Sequence, residues 1–523
     1  MRPLTAATVA IAVLSVTGLV LHAVLVYRPF FFDDSFISLR YARRFLDGQG
    51  LTWTDGERVE GYTNFLWVLL VAVIGFVTRA ELVDVARIAG IACMGAALLG
   101  VLHAARPSRA SEILPAAALL ASLAISGPVA AWATGGLEQA LLAALVSWGF
   151  ALLLPVLAMD RPGFRALWPS GLLLGLAGLT RPDGILFAAI GAAGIVLARG
   201  FRWASFGVAL RLGALPIALY AAQLLGRYAY YGSWVPNTFH AKAHANLPRL
   251  LAGIRYVLER PSPQPLYAAL PLILGAAVMV PASRRRVIVL ILPALAYAAY
   301  VATIGGDIMP ERRHLVACTF LLALATIEPL RALAASPRRG AAVAAQVLSL
   351  ALVAAFGAQQ LRDPDRFAAT RMTWAWTGKP VGRFIRDAFG QQSPLLAVDA
   401  AGSTPYYAGV PALDMLGLND AWLARHPPAN IGHGSLAHEL GDARYVLRRA
   451  PDLVMFHMPP GSQKPEWRAG HDLVRLPEWK RLYQLVRFDT GGKKPVTLVV
   501  WVRRESGRIG IVREAGRVDL PGF

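Results

Sequence analysis

Two adjacent aspartates, Asp33 and Asp34, open the stretch "DDSFISLRYARRFLDGQG", directly behind an apolar run ending "VLVYRPFFF". Neighbouring carboxylates repel, so their position at the exit of a hydrophobic helix asks for a reason. A carboxylate held there can deprotonate a hydroxyl as a general base. Cations suited to a leaving phosphate occur in other stretches: Arg181 in "LTRPDG", Lys242 in "YYGSWVPNTFHAK", and Arg312 and Arg313 in "GGDIMPERRH". Such groups stabilise the negative charge that builds on the leaving oxygen. Each also has a plainer reading. Paired Asp can be solvated loop residues, and Glu138 in "WATGGLEQ" can simply favour its helix start through the dipole. "RPDG", with Arg181 and Asp183, is a common turn, and the aromatics of "RYAYYGSWVPN" suit an interfacial belt. His240 and His244 are four apart, but two histidines without a third ligand make a weak metal site.

The elements that must position these groups are membrane helices. Of 523 residues, 56% are hydrophobic and 16% charged, and mean hydropathy is +0.48. That is a membrane composition. A formal charge of +20 would suggest nucleic acid in a soluble protein. Here the arginines lie mostly in short loops between apolar runs, where they set orientation, so nucleic acid is not an expected partner. Cys93 and Cys318 lie in or beside apolar runs and give no disulfide framework or zinc spacing. The first apolar run, with no convincing cleavage site before Asp33, reads as a retained span.

Runs near 5–27, 82–104, 112–129, 137–158, 167–181, 185–200, 205–226, 265–282, 286–304, 314–331 and 340–359 make about eleven spans. With Arg2 inside, the basic clusters at 106–109, 161–165, 199–202, 284–286 and 331–339 all fall on the cytoplasmic side. The short run 65–77 would reverse that arrangement if it crossed, so it is expected to lie along the outer surface. The segment 36–46 has Phe36, Leu39, Arg40, Arg43 and Leu46 at helical spacing, as in an amphipathic interfacial helix. Residues 1–359 thus read as a mainly α, polytopic membrane domain. Residues 360–523 read as an external α/β domain, with strands at 395–400 and 452–457 and a hairpin of "YQLVRF" and "VTLVVWV".

On that topology the polar stretches collect outside: Asp33 and Asp34; Glu60, Tyr62 and Asn64 in "GERVEGYTN"; Glu138; Arg181 and Asp183; Asn237, His240 and Lys242; and Asp307, Arg312 and Arg313. The last two form the arginine pair that breaks the charge bias, and they call for an anionic partner: a lipid headgroup in the plain reading, a substrate phosphate in the sharp one. No nucleotide-sugar pool exists outside the cytoplasm, so a glycosyl donor there is expected to be a polyprenyl-phosphate sugar. One base and one displacement would invert the anomeric centre, as in inverting hydrolases. A transporter or flippase of lipid-linked glycans is the rival, but it would place charges near the midplane of repeated halves.

"DDSFISLRYARRFLDGQGLTWTDGERVEGYTNFLW" resembles the first outer loop of the membrane-embedded GT-C glycosyltransferases, most of all the terminal arabinofuranosyltransferase family of mycobacterial cell-wall synthesis. "GLEQALLAAL", "GLTRPDG", "YYGSWVPNTFHAK", "GGDIMPERRH" and "DAAGSTPYYAGVPALDMLGLND" (399–420) resemble further stretches of that group. The resemblance implies a multi-pass protein of the bacterial plasma membrane. Asp33 or Asp34 would be the general base, with Asp33 favoured, and the donor would be a polyprenyl-phosphate sugar such as an arabinofuranose. The outer domain would hold the acceptor glycan, with Asn419 and Asp420 as contacts. Some GT-C enzymes hold a divalent metal at this acidic pair, and the residues leave that point open. The mycobacterial members are longer, with a larger outer domain, so the acceptor is expected to differ.

Overall fold

The computed structural model describes residues 2–242, 246–258, 270, 273–275, 280–429, 431, 434, 438–491, 495–513 and 517–519. Its first half is built from helices α1 (Arg2–Val26), α2 (Asp33–Leu46), α3 (Phe65–Thr78), α4 (Leu82–Ala105), α5 (Ile113–Ala124), α6 (Gly127–Thr134), α7 (Gln139–Val156), α8 (Phe164–Thr180), α9 (Ile185–Arg199), α10 (Trp203–Tyr231), α11 (Asn237–Lys242) and α12 (Leu247–Leu258). Three long helices follow: Pro281–Thr303, Val316–Ala334 and Arg339–Arg362. Among the described residues, eight helices are long and apolar enough to cross a membrane, or nine if one bent pair counts as a single span.

The expected count of eleven is not reproduced, for three separate reasons. The run at 112–129 is broken: Ala110–Ala124 and Gly127–Thr134 meet at 53°, with Pro128 at the start of the second piece. The run at 167–181 is the 17-residue α8, at the lower limit of a crossing. The run at 265–282 and His244 lie largely or wholly outside the described residues. The 65–77 run is a single short apolar helix. Val73, Phe76 and Val77 stay exposed on it.

Arginine side chains tie the helix ends together at one face of the bundle. Arg331 donates to the Ala104 and Arg106 carbonyls at 2.8 and 2.7 Å. Arg109 reaches Ala335 O at 3.1 Å and Arg199 reaches Met159 O at 2.8 Å. The basic loops therefore share one face. At the opposite face Arg181, after α8, meets Glu138 at the start of α7, so α7 and α8 run antiparallel.

Beyond Arg362 the chain forms a smaller domain around a five-stranded sheet in the order β2-β1-β3-β5-β4. Strands β1 (Leu396–Val398), β2 (Ala412–Asp414) and β3 (Leu453–Met455) are parallel. Strands β4 (Tyr483–Asp489) and β5 (Thr497–Arg503) form the expected hairpin, with Val486 opposite Val500. Their alternation buries Val486, Leu498, Val500 and Val502, the period-two pattern of a half-buried sheet.

Aromatic packing seats this domain on the helices. Phe31 and Phe36 pack on Trp376, with ring centroids 5.5 and 5.9 Å away, and Phe36 also meets Tyr406 and Tyr407. Helix α2 is thus covered by the smaller domain, which corrects the expectation of a helix lying on the lipid interface. Its hydrophobic stripe is real, but protein buries it, and even Arg40 on that helix is 3% exposed.

Candidate functional site

A cavity of about 580 Å³ opens at the face opposite the basic loops. Six stretches distant in sequence line it: Asp34 and Ser38 from α2, Tyr62 and Asn64, Glu138, Arg181 and Asp183, Lys242, and Asp307, Arg313 and His314. One wall is apolar, made by Ile185 and Leu186 of α9, Tyr220 and Leu224 of α10, Tyr300 in the Pro281–Thr303 helix and Ile304 just after it. The cavity therefore joins a polar end to an apolar wall contributed by candidate membrane-crossing helices.

The two aspartates part company. Asp33 is 4% exposed, and its carboxylate accepts the backbone N–H groups of Gly402 at 3.0 Å and Ser403 at 2.8 Å from the smaller domain. Burial raises its pKa to about 6 against the lowering effect of those hydrogen bonds. Asp34 instead lines the cavity, and among the described residues no hydrogen bond engages its carboxylate. Successive residues on a helix point about 100° apart, so one helix start presents one acid to the protein and the next to the cavity. Among the described residues no three His, Cys, Asp or Glu side chains gather as a metal site would require.

The cations differ in how far they are already paired. Arg181 lies between two carboxylates: Nη1 donates to Glu138 Oε1 at 2.6 Å, and Nε and Nη2 to Asp183 at 2.9 and 3.0 Å. Asn64 Nδ2 donates to Glu138 Oε2 at 2.8 Å and Tyr297 OH to Asp183 Oδ2 at 3.1 Å, so the cluster is held from both sides. Arg313 pairs with Asp307, and His314 Nε2 is 3.5 Å from the same carboxylate. Burial alone would raise Asp307, but Arg313, His314 and Lys242 outweigh it and hold its pKa down at about 2. Lys242 is half-buried at the end of α11. Burial lowers its pKa, opposed by the charge of Asp34.

Arg312 and Arg313 are sent to opposite sides. The turn Pro310–Leu315 has left-handed backbone at Glu311 (φ 56°) and Arg312 (φ 39°), a conformation that non-glycine residues rarely adopt. Arg312 points away from the cavity, 1% exposed, with Nε 3.8 Å from Asp365 and its guanidinium 5.7 Å from the Tyr256 ring. It is not among the residues that line the cavity. Glu311 anchors the turn through Tyr27 OH, which donates to Oε1 at 2.6 Å.

Other expected residues serve the framework. Glu60 pairs with Arg227 at 2.5 Å, both buried. Tyr62 OH is 3.2 Å from Tyr231 OH. Arg40 donates to the carbonyls of Trp53 and Val410 at 2.7 and 2.8 Å and to that of Pro405. Asn237 Nδ2 donates to the carbonyls of Gly417, Leu418 and Asp420 at 3.0, 3.0 and 3.2 Å. His240 stands outside the cavity lining, beside Phe239. Asn419 and Asp420 do not present free side chains to an acceptor. Asn419 Nδ2 donates to Asp414 at 2.9 Å and its Oδ1 accepts from Tyr41 OH at 3.2 Å. Asp420 accepts from Leu423 N at 2.8 Å and Tyr445 OH at 2.7 Å. Several polar cavity residues lay within stretches already singled out but were not singled out themselves: Ser38, one turn after Asp34, Thr63, Arg227, Thr238, and His314, at the end of "GGDIMPERRH".

A model described as a domain of unknown function, DUF8728, matches residues 360–501. The chain is 27% identical over 342 residues to a terminal β-(1→2)-arabinofuranosyltransferase of Corynebacterium glutamicum, covering 58% of this chain and 48% of that protein. It is 32% identical over 271 residues to the protein of the same description from Mycobacterium tuberculosis, covering 49% and 41%. The chain thus spans about half the length of these curated relatives, or less. Among solved structures, ArnT from Cupriavidus metallidurans bound to undecaprenyl phosphate aligns with a TM-score of 0.56 at 13% identity, over 77% of this chain and 85% of that one. The chain is a multi-pass membrane protein of the GT-C glycosyltransferase fold, related in sequence to terminal arabinofuranosyltransferases.

Proposed function

We propose that this protein transfers a sugar, arabinofuranose by its sequence relatives, from a polyprenyl-phosphate donor to a hydroxyl of a cell-envelope glycan at the outer face of the plasma membrane. The observation that carries this reading is the two-part cavity. Its polar end holds one acid, Asp34, opposite Lys242 and Arg313, and its other wall is made by membrane-depth apolar side chains. An amphiphile with a phosphate head and an isoprenoid tail fits both halves.

The reaction is a single displacement. The acceptor oxygen bonds to the anomeric carbon as its proton passes to the Asp34 carboxylate. The bond from that carbon to the phosphate oxygen breaks, and its electron pair leaves on the polyprenyl phosphate. Attack opposite the leaving group inverts the centre. Lys242 is the cation best placed to take the growing phosphate charge. The positive charges of Arg181 and Arg313 are already offset by Glu138, Asp183 and Asp307, so neither is a free cation. Positioned donors of this kind act on charge that develops in the transition state. The arginine-rich loops lie at the other face, which supports an external cavity and an external C-terminal domain by the positive-inside bias.

Purified protein in lipid nanodiscs, given decaprenyl-phosphoryl arabinofuranose and an arabinan acceptor, should lengthen the acceptor by one residue and release decaprenyl phosphate. Turnover with a different polyprenyl-linked sugar alone would keep the enzyme class and replace the sugar. Lack of turnover with every lipid-linked donor would reject the reading.

A further inference from the structure

Residues 399–420 of the smaller domain brace two of the elements that line the cavity, α2 and α11, and Leu418 lines it directly. At one end Gly402 and Ser403 donate their N–H groups to Asp33, the residue before Asp34. A Cβ at Gly402 would overlap both the Asp33 carbonyl and its carboxylate, so glycine is what permits this approach. At the other end the carbonyls of Gly417, Leu418 and Asp420 converge on the Asn237 amide. Asn237 begins α11, and Lys242 ends it, about 7.5 Å further along at 1.5 Å per residue.

The segment between these ends is held rigid. Ala412 N donates to Thr54 Oγ1 at 3.0 Å. Asp414 accepts from Leu416 N at 3.0 Å, and from Asn419 N and Nδ2 at 2.9 Å each. Gly61 packs so closely that a Cβ there would meet the Asn419 side chain and lie 2.8 Å from Leu418 O. Asn237 N also donates to Glu60 O at 2.9 Å. Buried, multiply satisfied polar contacts of this kind fix one geometry, because breaking any of them strands a polar group.

We propose that residues 399–420 form a strut that sets the separation of Asp34 from Lys242, with Asp33 and Asn237 as positioning residues at its two ends. This rests on the transfer reading for the roles of Asp34 and Lys242. It adds that the smaller domain aligns base and phosphate cation whatever acceptor is bound. Neither Asp33 nor Asn237 touches substrate in this arrangement; each acts through its neighbour on the same helix.

The test uses full-length protein in nanodiscs and two cuts, Asn237→Ala and Asp33→Ala, read by amide hydrogen exchange, by binding of decaprenyl phosphate alone, and by turnover. Asn237→Ala should speed exchange at residues 238–242 and weaken decaprenyl phosphate binding, each by about tenfold for lost hydrogen bonds, with exchange in α4 unchanged. Asp33→Ala should speed exchange at 402–403 and lower kcat, with decaprenyl phosphate affinity within about twofold. Asn237→Ser, which keeps one donor, should show the first pattern at lower amplitude and stands in if the alanine variant fails to insert. Unchanged exchange at both ends, or decaprenyl phosphate binding indifferent to Asn237, would overturn the strut. If the unaltered protein never turns over, only the transfer reading fails, since exchange and phosphate binding still decide the strut.

Discussion

The cavity and the 414–420 turn of the smaller domain use the same residue types to opposite ends. In the turn, Asp414, Asn419 and Asp420 are 1–2% exposed and engaged by backbone amides, Tyr41 and Tyr445. In the cavity, Asp34 and Lys242 are partly accessible and face a shared space. Satisfied carboxylates build structure, and a carboxylate left facing a cation across open volume can do chemistry. Asp33 and Asp34 draw that line between consecutive residues.

The sharpest way to break the comparison is to neutralise the acid facing the space. Asp34→Asn should lower turnover by about 10²–10⁴-fold, the usual range of a general base, with thermal stability nearly unchanged. Next come the paired cations. Arg181→Ala would leave Glu138 and Asp183 buried without their partner, and removing one member of such a cluster typically costs about 3–5 kcal/mol. A drop in Tm and poor membrane yield would show it, and a stable Arg181→Ala protein with intact folding would refute that account.

Lys242→Ala removes a cation facing the same space without stranding a buried pair. It should raise donor KM about ten- to a hundredfold, as for a lost charge-assisted hydrogen bond, and leave acceptor KM unchanged. Steady-state kinetics with each substrate varied in turn would show the difference. Asn419→Ala belongs to the turn, so it should cost about 1–3 kcal/mol of stability by stranding its buried partners, seen as a lower unfolding midpoint without a selective rise in acceptor KM.

The smallest effect is on pH dependence. Asp33 titrates near 6 in the folded protein, above its ordinary 3.8. Its contribution to stability is therefore full below about 3.8 and is lost as pH rises through about 6. Asp307, held near 2, behaves oppositely: its contribution is present above about 3.8 and is lost as pH falls through about 2. Between pH 4 and 7 the Tm of the unaltered protein should thus fall relative to that of Asp33→Asn. A constant difference would remove Asp33 from that window.

Much of this was legible in sequence because it rests on local pattern. Alternation in "YQLVRF" and "VTLVVWV" marks the β4–β5 hairpin, and one-sided arginines mark the face that Arg109, Arg199 and Arg331 tie together. The cavity's polar stretches were also visible as charges at span ends. What stayed hidden depends on contacts between distant segments. Asp33 and Asp34 are chemically alike, and they are separated by amides 369 and 370 residues further on. Arg312 and Arg313 are separated by a left-handed turn that composition does not announce. The polar character of Asn419 and Asp420 was visible, but their partners Tyr41 and Tyr445 were not. The bend between α5 and α6 likewise hides in a run whose hydropathy alone reads as one span.

The division between Asp33 and Asp34 is tested most directly by comparing the initial rates of Asp33→Asn and Asp34→Asn with decaprenyl-phosphoryl arabinofuranose at saturating acceptor. Asp33→Asn retains an oxygen to accept from Gly402 or Ser403 and should stay within about tenfold of the unaltered rate, while Asp34→Asn falls by about 10²–10⁴-fold. A folded Asp34→Asn protein with near-normal turnover, or the reverse order of the two variants, would contradict it.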